Sequence, residues 1–274
     1  MAAVSALEDR PAQAGHGRGR PRFAIMTGRV SVLCTAFLGL APLSAAATAK
    51  VAQESFTSGG RNRIYYVAAP KRLEVGKPAP LVILLHGSGR DGSSLVEKWV
   101  KLAAEEGFIV AGPDASNAAY WEAPRDGPAF LRDLVDHLRS RYPIDPRRVY
   151  LFGHSAGAFF ALQMGLLESR YFAAVAIHAG AFNEGEEKWL MARAKRKVPF
   201  HLAAGDRDER VPLAAVRATR DALRAGGFPV ELVEMRNHDH WYYDLAPQIN
   251  RSAWAFFAAH PLAEDPVYEK LDLR

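Results

Sequence analysis

The chain has 274 residues, 49% hydrophobic and 24% charged, which suits a soluble globular protein with a substantial core. Its formal net charge is +5, but the first 49 residues carry five arginines against Glu8 and Asp9, so residues 50–274 retain only +2, with no single-sign block suited to nucleic acid or a membrane surface. The only cysteine, Cys34, also lies in that first stretch, so the remainder holds no thiol, disulfide or cysteine metal ligand.

In chain order, Arg18, Arg20, Arg22 and Arg29 precede the apolar run "VSVLCTAFLGLAPL", and the small residues "SAAATA" follow it. This is the layout of a cleavable secretory signal, and the run is too short to span a bilayer. Cleavage after Ala49 fits an A-x-A site through Ala47 and Ala49, and cleavage after Ala47 fits one through Ala45. Met26 is an alternative start, and no twin-arginine pair occurs in this stretch. Cys34 follows Leu33 rather than a small residue, which argues against lipid attachment. The expectation is a leader at 1–49 and a single domain at 50–274, secreted or periplasmic, with no stable membrane anchor.

From Arg63 onward, short β-rich runs alternate with amphipathic stretches. The predicted strands are "RIYYVA", "LVILLHG", "FIVAGP", "VYLFGHS", "AAVAIHAG", "PFHLAAGD" and "VELVEM", several of them continuously apolar, as strands covered on both faces require. In "DGPAFLRDLVDHLRSRY", Phe130, Leu131, Leu134, Val135 and Leu138 share one side of a predicted helix. The alternation predicts an α/β fold, a mostly parallel open sheet with helices on both faces. Ligands of such sheets bind at the carboxyl ends of the strands.

In "LFGHSAGAFF", Ser155 stands between Gly153 and Gly157, where the strand "RRVYLFG" gives way to the helix "AGAFFALQMGLLES". A strand-to-helix elbow needs small residues on either side of an exposed nucleophile, although glycines at such a junction also serve packing. After "LVILL" comes His86-Gly87-Ser88, whose histidine is read as ordering the loop, and His154 is read as a spacer that stabilises the elbow. Asp206, Asp208 and Glu209 follow a later strand in "PFHLAAGDRDERVP", and His238 and His240 follow the last in "VELVEMRNHDHWYYD". Either aspartate and either histidine is within reach of the site on these grounds.

Taken in order, "LLHGSG", "YPIDPRRVYLFGHSAGA", "AAGDRDERVP" and "HDHWYYD" resemble the motifs of α/β-hydrolases, closest to secreted serine esterases of the polyhydroxybutyrate-depolymerase and feruloyl-esterase type. The resemblance implies an α/β-hydrolase fold. Its G-x-x-D-x-x-V-P pattern selects Asp208 as the acid, leaving Asp206 to order the turn, and its D-H-x-Y-Y pattern selects His240 as the base over His238. Ser155, Asp208 and His240 then stand in the hydrolase order. The implied oxyanion donors are the backbone N–H groups of Ser88 and Ala156. No metal or cofactor is implied, and the substrate is a small-molecule or oligomeric ester. An amidase or peptidase with the same triad, or a non-catalytic binding protein on this scaffold, are the alternatives. Tyr120, Trp121, Phe182 and Trp241 lie near predicted strand ends as candidate substrate-binding residues. Only 20 residues separate the strand ending near His178 from the one starting near Pro199, which leaves no room for a large lid.

Overall fold

The structure, a computed structural model, describes residues 50–270 except 72, 74, 75 and 184. The expected leader lies outside the described residues.

Eight strands form one sheet: β1 (Ala52–Ser58), β2 (Arg61–Ala68), β3 (Ala79–Leu85), β4 (Ile109–Pro113), β5 (Ile144–His154), β6 (Val175–His178), β7 (Phe200–Gly205) and β8 (Val230–Met235). Their order across the sheet is β1-β2-β4-β3-β5-β6-β7-β8. From β4 to β8 every pairing is parallel, while β1 and β2 add an antiparallel edge. The sequence reading began its strands at Arg63 and passed over β1, whose "AQESFTS" is largely polar and half exposed. A signal for it was present: Gly59 and Gly60 form a two-residue link, and both have positive φ (56° and 73°), the backbone that a tight hairpin of twist-matched strands demands.

Seven helices cover the sheet: α1 (Ser93–Glu106), α2 (Ala123–Asp126), α3 (Pro128–Arg139), α4 (Ala156–Leu167), α5 (Glu186–Arg193), α6 (Leu213–Ala225) and α7 (Tyr242–Ala258), among the described residues. Strand side chains alternate between two cores. On β3, Leu81, Ile83 and Leu85 join Leu134 of α3, Leu162 of α4 and Leu223 of α6, whereas Val82 and Leu84 join Trp99 of α1 and Phe257 of α7. Burial on both faces explains why β3 is apolar without interruption. The crossover from β6 to β7 carries α5 alone, so no lid-sized insertion occurs there.

Candidate active site

The turn from β5 into α4 sets the position of Ser155. Its φ of 54° and ψ of −120° lie outside the regions open to an ordinary side chain, a conformation that persists only where its surroundings enforce it. Those surroundings are backbone packed on backbone. A Cβ on Gly157 would lie 1.9 Å from the carbonyl oxygen of Leu85, and one on Gly153 would lie 2.2 Å from that of Gly157. The amide of Ser155 donates to the His178 carbonyl at 3.1 Å, and its carbonyl accepts from Ala158 N–H at 2.8 Å. The two glycines therefore let strand, helix and the preceding loop meet closely enough to hold the serine in its strained turn.

Asp208 comes from the loop after β7. One carboxylate oxygen accepts the backbone N–H groups of Arg210 and Val211, both at 2.9 Å, which fixes the carboxyl and leaves Oδ2 free for a further bond. His240, from the loop after β8, places Nδ1 at 2.8 Å from Oδ2. A carboxylate accepts only, so Nδ1 carries the proton and Nε2 is left as acceptor toward the Ser155 hydroxyl at 2.9 Å. The Asp208 side chain is fully buried. Neither Ser88 N–H nor Ala156 N–H finds a protein partner among the described residues, and both residues border the hollow beside Ser155. An unpaired N–H at the first residue of α4 is an inherent helix feature, and it favours negative charge.

The structure separates the residues between which the sequence left a choice. Asp206 is exposed, and its N–H donates to Met235 O. His238 is buried, and its Nε2 stands 3.0 Å from Nε2 of His178, whose Nδ1 stands 3.0 Å from Nδ1 of His154. These three imidazoles form a hydrogen-bonded line beneath the serine. Burial pushes His154 down to about 3, with His240 acting in the same direction, and burial holds His178 well below its usual range. A line of neutral rings permits two polarities, since each bond needs one donor and one acceptor. His178 lay within a predicted strand and carried no expected role.

Burial likewise pushes His86 below its usual range. Its Nε2 accepts Ala115 N–H at 3.1 Å, Nδ1 donates to Gly87 O at 2.9 Å, and its carbonyl accepts Trp121 Nε1–H at 2.9 Å. Asp126, missed by sequence reading, anchors the same loop. Fully buried, it accepts from Arg63 at 2.6 Å, from Ser116 through both N–H and hydroxyl, and from Glu122 N–H. The loop it secures carries Tyr120 and Trp121.

Two open hollows meet at Ser155 and His240. One, of about 440 Å³, is walled by Tyr120, Trp121, Phe159 and Phe160 beside Ala156. The other, of about 530 Å³, is bordered by Trp241 and Tyr243 with Arg90, Arg207 and Arg210. Of the four candidate substrate-binding aromatics, Tyr120, Trp121 and Trp241 face these hollows. Phe182 packs instead against the core and borders neither, while its neighbour Asn183 does. Among the described residues no cluster of three histidine or carboxylate side chains could hold a metal ion, and no helix is long and apolar enough to cross a membrane.

Comparison with known proteins places this arrangement in context. The sequence model of the alpha/beta hydrolase family matches residues 82–272. The chain is 29% identical over 177 residues to a poly(3-hydroxybutyrate) depolymerase of Ralstonia pickettii, covering 54% of this chain and 36% of that protein. It is 24% identical over 245 residues to a dipeptidyl-peptidase 5 of Porphyromonas endodontalis, covering 72% and 35%. The chain thus spans little more than a third of either relative. Among solved structures, a ferulic acid esterase of Anaeromyces mucronatus superposes with a TM-score of 0.63 at 17% identity, covering 76% of this chain and 90% of that one, a likeness of fold.

Proposed function

This chain belongs to the alpha/beta hydrolase family, and on that premise we propose that it is a serine esterase cleaving carboxylic esters of short acyl or compact aryl acyl groups. The observation that carries the reading is the hydrogen-bonded series from Ser155 through His240 to Asp208, beside two unpaired backbone N–H groups. Ser155 Oγ attacks the ester carbonyl as His240 Nε2 takes its proton, while Asp208 steadies the resulting imidazolium. The carbonyl oxygen, now negative, turns to Ser88 N–H and Ala156 N–H. Losing one such donor costs about 100-fold or more in rate. Collapse breaks the bond to the alcohol oxygen, which leaves with the proton from His240. Water then attacks the acyl-serine and gives a proton to His240, which passes it to Ser155 as the acid is released.

An active-site phosphonate should label Ser155 and end ester hydrolysis, and Ser155→Ala should lower kcat/KM by about 10⁴-fold or more with the fold retained. Full activity in a folded S155A variant would refute the reading. Acetyl esters and matched acetamides distinguish esterase from amidase, and faster amide cleavage would reassign the reaction. We further propose export with loss of the leader, supported by the pattern in residues 1–49. N-terminal sequencing of exported protein should begin near Thr48 or Lys50, and a start at Met1 or Met26 would refute a cleaved leader.

A further inference from the structure

Among the described residues, most arginines elsewhere lean on a carboxylate, as Arg217 does on Glu234 and Arg147 on Asp265. Arg90, Arg207 and Arg210 do not: among the described residues no carboxylate lies within ion-pairing distance of their guanidinium groups, although all three border the larger hollow at Ser155. The same wall carries Glu209 and Asp239, so it bears three positive charges against two negative. One oxygen of Asp239 is engaged by the N–H of Trp241 at 2.7 Å. Arg90 is further held over aromatic faces, its guanidinium carbon 5.2 Å from the ring centres of both Trp241 and Tyr243. A stacked guanidinium keeps its N–H fork available for an oxyanion at a small cost in side-chain freedom.

The two hollows differ in kind, and the residues each has to itself assign them. His240, which gives its proton to the departing alcohol, borders both, but Asp239 and Trp241 on either side of it border only the arginine-bearing hollow, which is taken as the alcohol side. The aromatic hollow adjoins Ala156, where the acyl carbonyl turns toward its N–H donors. Arg210 borders both. We propose that the preferred substrates are esters whose alcohol half carries a carboxylate, so that the alcohol released is a hydroxy acid whose anionic end was held by Arg90, Arg207 and Arg210. This inference rests on the serine-esterase reading. The balance of the reaction is unchanged: the carboxylate stays ionised throughout, and only the distal ester bond breaks.

The test compares two acetyl esters of equal size, that of 4-hydroxybutyrate and that of 4-hydroxybutyramide, in which the charge is remote from the reacting oxygen. The native enzyme should show a kcat/KM about tenfold higher for the carboxylate, as charge-assisted guanidinium contacts allow. Raising ionic strength from about 0.02 M to 0.5 M should shrink that ratio, because exposed charges are screened. Arg210→Gln and the combined Arg90→Gln, Arg207→Gln, Arg210→Gln variant should bring it close to one, with phosphonate labelling of Ser155 certifying a folded site. A native ratio at or below one, or a ratio that neither salt nor the substitutions change, would overturn the inference while leaving the serine-esterase reading intact. Absence of both labelling and hydrolysis in the native enzyme would overturn the two together.

Discussion

Asp206 and Asp208 stand two residues apart, as do His238 and His240, yet only His240 reaches the serine and only Asp208 reaches His240. The loop after β7 turns Asp208 inward because two backbone N–H groups capture its carboxylate, and Asp206 is left in solvent. We expect Asp208→Asn and His240→Ala to lower kcat/KM by about 10³-fold or more, since a misplaced or missing base leaves only binding and the oxyanion donors. Asp206→Asn should change it by less than about threefold, a surface substitution clear of the site. His238→Ala should act through stability, because it leaves His178 with an unpaired buried nitrogen, a cost of about 1–3 kcal/mol. Steady-state kinetics alongside urea melts separate these effects, and a His238→Ala variant as inactive as His240→Ala at full stability would reverse the assignment of the base. Spacing left two aspartates and two histidines open, and it was the resemblance to α/β-hydrolase motifs that pointed to Asp208 and His240 beside Ser155. It was silent about His178, since an isolated histidine within an apolar strand reads the same whether it is a packed core residue or one member of a hydrogen-bonded row.

At the scale of elements, the segment between β4 and α3 decides the shape of the aromatic hollow, and His86 and Asp126 tie it down. Removing the Asp126 carboxylate leaves the buried Arg63 guanidinium without its counter-charge and takes the acceptor from three further donors on Ser116 and Glu122. Asp126→Ala should therefore destabilise the protein by about 3–5 kcal/mol, the range for breaking a buried ion pair from one side. At temperatures where the variant stays folded, it should also raise KM for a feruloyl ester more than for an acetyl ester, because Trp121 belongs to that segment. Equal effects on both substrates would mean that the segment does not shape acyl choice. The parallel strands were legible because burial on two faces makes them apolar throughout, whereas β1 and the segment around Asp126 are polar. Their structure depends on partners distant in the chain: Phe56 of β1 lies against Phe130, and Asp126 against Arg63. No local period encodes such pairings. Phe182 was misplaced for a related reason: proximity to a strand end does not say which way a side chain turns.

For the whole molecule, the buried imidazoles set a pH limit. Burial lowers His154 to about 3 and His201 to about 4, and also lowers His86, His178 and His238. The unfolded chain takes up protons at these sites below about pH 6.5 and the native chain does not, so the stability they support is present above pH 6.5 and is lost as pH falls below it. The melting temperature should drop steadily from pH 6.5 toward 4, and His201→Gln should flatten that slope; a melting temperature constant over this range would contradict the burial. Because the β6–β7 crossover carries only α5, hydrolysis should show no jump in rate when a palmitate ester passes its solubility limit, and acetate or butyrate esters should be preferred. An interfacial jump with palmitate preference would reveal a cover elsewhere. The order of strands has one more outcome. Ser155, Asp208 and His240 follow β5, β7 and β8, and Ser155 and His240 are 85 residues apart in the chain. The position of His240 thus depends on the strand at the rim of the sheet, β8, most of whose residues are partly or fully exposed. Fraying at a rim needs less free energy than opening the centre. Gentle heating should accordingly silence the enzyme before it melts, with phosphonate reactivity of Ser155 vanishing while the tryptophans of the interior still report an intact core.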